Sequence, residues 1–206
     1  MTDRDLIRHH WPVDLRPAFD ALFAIDDVMG DVVASSTQPA LGAIRLAWWR
    51  EALERLDHLP PPSEPRLQAA AAELLPRGVT GTALAALEDG YATLVDEYPD
   101  KDRLGASGAA LFAIGATLLG ADDARSPEAG RLYGFASAAR RGLAAIPGDV
   151  DGRALAGHRF SRALRPVTAF ARLALRDIQR APALEAEATP ARAAALLSHR
   201  LFGTIC

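Results

Sequence analysis

Cysteine is nearly missing from this chain. The one thiol in 206 residues is Cys206, so an intrachain disulfide and a cysteine-based metal cage are both excluded. Cationic excess is missing too. The formal net charge is −3, which leaves no overall electrostatic footprint for nucleic acid, and no nucleic-acid partner is expected. Strand signals are scarce, because few windows alternate with period two and β-branched residues do not cluster. Zinc-type histidine spacing is absent: His9 and His10 are adjacent, and His58, His158 and His199 are scattered. No G-x-S-x-G elbow or P-loop occurs. The stretch MTDRDLIRHHWP is charged and lacks an apolar run. A secretory signal is therefore not expected, and a cytoplasmic location is.

Charge is locally absent over residues 104–121, LGASGAALFAIGATLLGA. Eighteen uncharged residues reach the length of a membrane span. The run is mostly Gly, Ala, Ser and Thr, which contribute little transfer energy. It predicts a central helix buried on all sides, with Gly108 and Gly115 letting neighbouring helices approach closely.

What is present is helical. Half the residues are hydrophobic, enough to build the core of one domain over residues 1–206. Helical spacing recurs, and alanine is abundant. The predicted helices are 14–34, 39–58, 65–76, 81–98, 104–120, 127–146, 162–180 and 190–202. Start and stop signals support them. Ser36 and Thr37 precede Pro39, Thr80 can cap the fourth helix, Ser126 and Pro127 open the sixth, and Thr189 with Pro190 opens the last. Pro60, Pro61 and Pro62 stop the second. Residues 147–157, PGDVDGRALAG, read as a loop.

Two of these helices carry candidate chemistry. With Asp27 set at zero on a helical wheel, Asp20 falls near ~20° and Asp31 near ~40°, opposite Leu22, Ile25, Met29 and Val32 at roughly 140–220°. Asp27 and Asp31 stand four apart, about 5–6 Å between Cβ atoms. Such a pair either is solvated surface or holds a cation. In the next helix Leu46, Trp49, Leu53 and Leu56 form one apolar stripe, and Leu41, Ile44, Trp48 and Ala52 a second. Together they predict a broad buried face. Arg45 precedes the tryptophan pair and can stack on a ring or reach an anion. Asp89 shares its helix with Glu88 and Glu97, either as a solvated face or facing a cavity. Arg140 and Arg141 either fork onto phosphate oxygens or pair with the aspartate face as a structural network.

The segment GAIRLAWWREALERL, residues 42–56, closely resembles the R-L-x-W-W-R-[ED]-x-L signature of the squalene/phytoene synthase family. The preceding PAFDALFAIDDVMGDVV is similar to that family's first aspartate-rich helix. YGFASAARRGLAAIPGD, residues 133–149, is similar to the helix of its second motif. The resemblance implies an all-α isoprenoid-synthase-like bundle of about eight helices, shortened relative to typical family members. It implies Mg²⁺ as cofactor, held on prenyl diphosphates by aspartates of two facing helices. Carried onto this chain, the metal ligands would be Asp27, Asp31 and Asp149. The substrate-binding residues would be Arg45, Asp89, Arg140 and Arg141.

The second motif is eroded. Condensing members read approximately G-x-A-x-Q-L-x-N-x-x-R-D-x-x-x-D, whereas Ala138 stands for the glutamine, Ala144 for the arginine and Ala145 for the first aspartate. The pattern G-x-A-x-A-x-x-R-x-L-x-x-[IL]-P instead resembles a divergent branch that includes the mitochondrial complex I assembly factor and its bacterial relatives. That likeness implies an accessory or prenyl-ligand-binding role, with a protein partner in respiratory-complex assembly. The alternatives are an active Mg²⁺-dependent prenyl diphosphate condensing transferase and a helical interaction module without ligand. Because the family's substrates are lipids, peripheral contact at the inner face of a membrane stays open.

Overall fold

The computed structural model describes residues 1–206 and is all-helical, with 67% of residues in helices and none in a strand. Its α-helices are α1 (Asp3–Arg8), α2 (Arg16–Ser35), α3 (Pro39–Arg55), α4 (Pro65–Glu73), α5 (Gly81–Ala85), α6 (Glu88–Ala92), α7 (Lys101–Leu119), α8 (Ser126–Arg140), α9 (Arg165–Arg180) and α10 (Pro190–Phe202). Proline sits in the first turn of α2, α3, α4, α8, α9 and α10. There its missing N–H costs nothing and its fixed φ suits the helix. Thr80 and Thr189 cap α5 and α10 through their side chains.

Three predicted spans differ. α1 was not predicted, yet Thr2 and Asp5 close a capping box in which each side chain accepts the other's backbone N–H. The predicted helix 81–98 breaks into α5, α6 and a 3₁₀ turn at residues 93–95. At the break, the Ser107 hydroxyl donates to the Leu87 carbonyl at 2.8 Å. The predicted helix 127–146 stops at Arg140, because Gly142 takes a left-handed φ of 70° and turns the chain off the helix axis.

The long helices combine antiparallel and parallel neighbours. α7 and α8 pack antiparallel along their glycines. A Cβ at Gly108 would lie 2.2 Å from the Gly130 carbonyl oxygen, and one at Gly130 would lie 2.4 Å from that of Gly108. Gly115 meets the Val167 side chain instead. Within the uncharged run Ala106, Ala113, Thr117 and Gly120 are exposed, and Ala109, Ala110, Leu119 and Ala121 are half-buried, so α7 keeps a solvent-facing stripe and is not buried on all sides as expected. No helix is long and apolar enough to cross a membrane. Tyr133 meets Phe170 and Arg140 meets Asp177, so α9 runs parallel to α8. α10 returns antiparallel, placing Arg192 on Asp177 and His199 on Thr168.

The core is one large apolar cluster, with Leu104, Phe135 and Ala138 forming a small second one; Trp11 belongs to the large cluster and is buried although it lies outside any helix. Its ring stacks 4.9 Å from Phe19 and 5.8 Å from Phe23. On α3 the first stripe behaves as predicted, with Leu46, Trp49, Leu53 and Leu56 buried; of the second, Ala52 is buried whereas Leu41, Ile44 and Trp48 are exposed. The rest of the second stripe is left uncovered because α5 and α6 pack on the first.

Substituting Gly130 by alanine should force α7 and α8 apart, because the obstruction is backbone. The expected loss is about 1–3 kcal/mol in chemical denaturation. His199 supplies a pH test. It is buried, with Nδ1 2.8 Å from the Thr204 carbonyl and Nε2 3.0 Å from the Thr168 hydroxyl. Burial lowers its pKa to about 4, against the opposing hydrogen bond to Thr204 and with help from Arg165 and Arg172. The unfolded chain therefore binds this proton first as pH falls. The contribution is complete above pH 6.5 and declines as pH approaches about 4, a loss of about 3 kcal/mol. Denaturation midpoints across this window should fall in the native protein and flatten in His199→Gln.

Candidate functional site

The acidic face of α2 exists, and arginines pair with Asp20 and Asp27 on it. Asp20 receives Arg8, with Nε 3.0 Å from Oδ1 and Nη2 2.7 Å from Oδ2. Asp27 receives two guanidinium groups. Arg4 takes both oxygens, with Nη1 on Oδ2 and Nη2 2.8 Å from Oδ1. Arg141 Nη2 lies 2.7 Å from Oδ1 as well. Burial alone would raise the Asp27 pKa, but the Arg4 hydrogen bond and the charges of Arg4 and Arg141 hold it below the ordinary carboxylate range. Asp31 is exposed.

Behind Asp27 lies Asp26, which is buried. The Tyr91 hydroxyl donates to its Oδ1 at 2.6 Å, the Tyr133 hydroxyl to Oδ2 at 3.0 Å, and Arg141 Nη2 approaches Oδ2 at 3.3 Å. Both phenols are pushed above their usual pKa by burial and by the adjacent Asp26 charge. They therefore stay protonated as donors. Gly30 makes the arrangement possible. A Cβ there would fall 2.5 Å from Arg141 Nη1, so the missing side chain is the channel through which Arg141 reaches α2.

Arg140 turns the other way. Its Nε and Nη2 each lie 2.6 Å from the Asp177 carboxylate, which also receives Arg192 Nη1 at 2.6 Å. Arg192 is itself buried, and its Nε lies 2.9 Å from both oxygens of Asp3. Removing one partner from such a buried network costs about 3–5 kcal/mol, since it strands the other charge.

The two networks flank a cavity of about 350 Å³. Arg4, Arg140, Arg141 and Arg192 line it with Asp3, Asp27, Asp177 and Glu187, and Phe170, Leu173 and Ala174 form its apolar wall. Four cations meet four carboxylates, with Asp26 just behind, so the cavity has no net positive field for an anion. Deeper space is filled by aromatic rings. Phe23 packs 4.6 Å from Phe170 and 6.2 Å from Tyr133, and Phe112 packs 5.8 Å from Tyr133.

The remaining candidates do not join this site. Asp149 stands on the loop after α8, ion-paired with Lys101, beside a separate cavity that includes Asp151. The early stop at Gly142 carries it there. Asp89 pairs with Arg103 at 2.8 Å on the surface of α6. Arg45 is exposed, with Nη1 3.2 Å from the Ser35 hydroxyl. Nowhere do three His, Cys, Asp or Glu side chains converge as a metal cage requires. The ligand set that the resemblance implies for Mg²⁺ does not fit these positions. Both oxygens of Asp27 are engaged by guanidinium, Asp31 points to solvent, and Asp149 belongs to another cavity.

Sequence reasoning missed Asp3, Arg4, Tyr91, Tyr133, Asp177 and Arg192. Two of them carried a readable signal. Asp177 continues the stripe Phe170, Leu173, Ala174, and Arg192 opens the stripe Ala195, Leu196, His199. A charge at a stripe position must be paired inside the protein. Comparison with protein families, with curated proteins and with solved structures finds no match.

Arg141→Ala should destabilise the fold by about 3–5 kcal/mol, since it strands buried Asp26 and half of the Asp27 pairing. Denaturation curves measure it. A change near zero would mean that the guanidinium does not hold α2 to α8.

Proposed function

We propose that this chain is a non-catalytic accessory protein on a squalene/phytoene synthase-like bundle, in which the acidic site is a structural latch. One observation carries the reading: both oxygens of Asp27 are engaged by Arg4 and Arg141. A condensing site needs those oxygens for Mg²⁺, because the metal offsets charge as diphosphate leaves. Here guanidinium groups already neutralise the carboxylate. A cavity of about 350 Å³ also lies at the small end of ligand sites, which disfavours two prenyl chains side by side. The eroded second motif, with Ala138 and Ala145, agrees. By the same resemblance, the partner is a protein of respiratory-complex assembly.

A second reading is retention of one prenyl-type ligand without turnover. The apolar wall of Phe170, Leu173 and Ala174 beside the arginines favours it. The ligand head would have to displace Asp27 from Arg4 or Arg141.

Incubation with Mg²⁺ and farnesyl or geranylgeranyl diphosphate, followed by product extraction, separates these readings. The expected outcome is no condensed product. Product that disappears in Asp27→Ala would overturn the accessory reading. Saturable prenyl diphosphate binding without product would favour the second. If the assembly role is right, deleting the gene should lower assembled respiratory NADH dehydrogenase.

A further inference from the structure

The end of the bundle opposite the arginine-lined cavity has a different character. The return of α10 brings its C-terminus beside the start of α9. The Phe160 N–H donates to the Gly203 carbonyl at 2.9 Å, pinning residues 158–165 against that end. Arg165 reaches across, with Nη1 2.7 Å from the Arg200 carbonyl and 3.2 Å from that of Leu201. Leu197, Leu201 and Phe202 stand exposed there at 57%, 61% and 56% of their surface. Ala193 and Ala194 continue the stripe. Leu197 and Leu201 are one turn apart, so the outer face of α10 is apolar while Arg192, Ala195, Leu196 and His199 face inward.

The two segments that form this end carry cations and no acid of their own, although the chain as a whole is acidic. Residues 152–176 hold six arginines and no Asp or Glu, and residues 188–206 hold two more and again no acid. Three of the eight are paired: Arg153 with Asp151, Arg176 with Glu185, and Arg192 with Asp3 and Asp177. Arg165 and Arg172 donate only to carbonyls. Arg159, Arg162 and Arg200 are exposed and form no ion pair. His158 opens the segment and itself occupies Asp123, at 2.9 Å.

We propose that this end docks on an anionic lipid surface, with Leu197, Leu201 and Phe202 entering the headgroup boundary and Arg159, Arg162 and Arg200 lying over lipid phosphates. Charge complementarity selects the occupant. An apolar stripe flanked by unpaired guanidinium groups matches an interface that is apolar below and negative above. The helix lies along the surface and does not cross it, in keeping with the absence of any span-length apolar helix. The inference is independent of whether the cavity at the other end holds a ligand.

Co-sedimentation of the full chain with vesicles tests it, comparing phosphatidylcholine alone with phosphatidylcholine containing phosphatidylglycerol. Binding is expected only to the anionic vesicles and should weaken at high salt. The exposed triple change Arg159→Gln, Arg162→Gln and Arg200→Gln should weaken it about a hundredfold, as roughly 1 kcal/mol per cation is removed. Leu201→Asp should weaken it with every arginine retained. Ile44→Asp, on the uncovered stripe of α3, should leave it unchanged. Circular dichroism checks that each variant is folded. Equal binding to neutral vesicles, or loss in Ile44→Asp without loss in Leu201→Asp, would overturn the assignment. So would failure to bind anionic vesicles, the outcome expected if this surface takes an acidic protein instead.

Discussion

Asp26 is a carboxylate set in hydrocarbon, and the fold is arranged to satisfy it. An unanswered charge at that depth would cost several kcal/mol. Its three partners arrive from two helices: Tyr91 on α6, and Tyr133 on α8 with Arg141 at its cap. None reaches it unless α2, α6 and α8 are in register together. Arg141 then extends the dependence to Asp27, Asp27 to Arg4, and Arg4 to α1. A short N-terminal helix that would not persist alone is held by a sequence of charge pairs that begins in the interior.

The clustering of cations at this end of the molecule has an elementary cause. α2, α8 and α9 run parallel, so their C-terminal halves point the same way. Carbonyl-rich helix ends favour cations, and Arg140 and Arg141 occupy the last turn of α8 and its cap. The carboxylates Asp27 and Asp177 balance them. What results is a neutral, hydrogen-bonded seam. Specific geometry is its product, in keeping with the accessory role proposed above.

The helical architecture was legible because it rests on local signals. Proline in the first turn and threonine caps are one-residue features, and α3, α8 and α10 begin within a residue of where those features put them. The acidic face of α2 was legible from periodicity. Its meaning was not, because a wheel shows which residues share a face and is silent on what approaches that face. Arg4 lies on a helix that was not predicted, and Arg141 reaches α2 only because Gly30 leaves room. The exposed half of the tryptophan helix escaped for the same reason. Two apolar stripes look alike in sequence, and only the packing of α5 and α6 decides which one is covered. The break in α5 and α6 depends on Ser107 taking a carbonyl, a contact across twenty residues.

Arg140 and Arg141 are consecutive, yet they serve opposite halves of the chain. One residue of helix turns the direction of a side chain by about 100°, and that turn sends Arg140 to Asp177 of α9 and Arg141 to Asp26 and Asp27 of α2. The end of α8 is thus a fork whose prongs are fixed by helical phase. A deletion or insertion of one residue between Ser126 and Arg140 would rotate both prongs at once and unseat both networks. The same change in the loop after Gly142 would rotate neither. Length in this chain is therefore constrained very unevenly. It is rigid on one side of a left-handed glycine and free on the other, and sequences related to this one should differ in length accordingly.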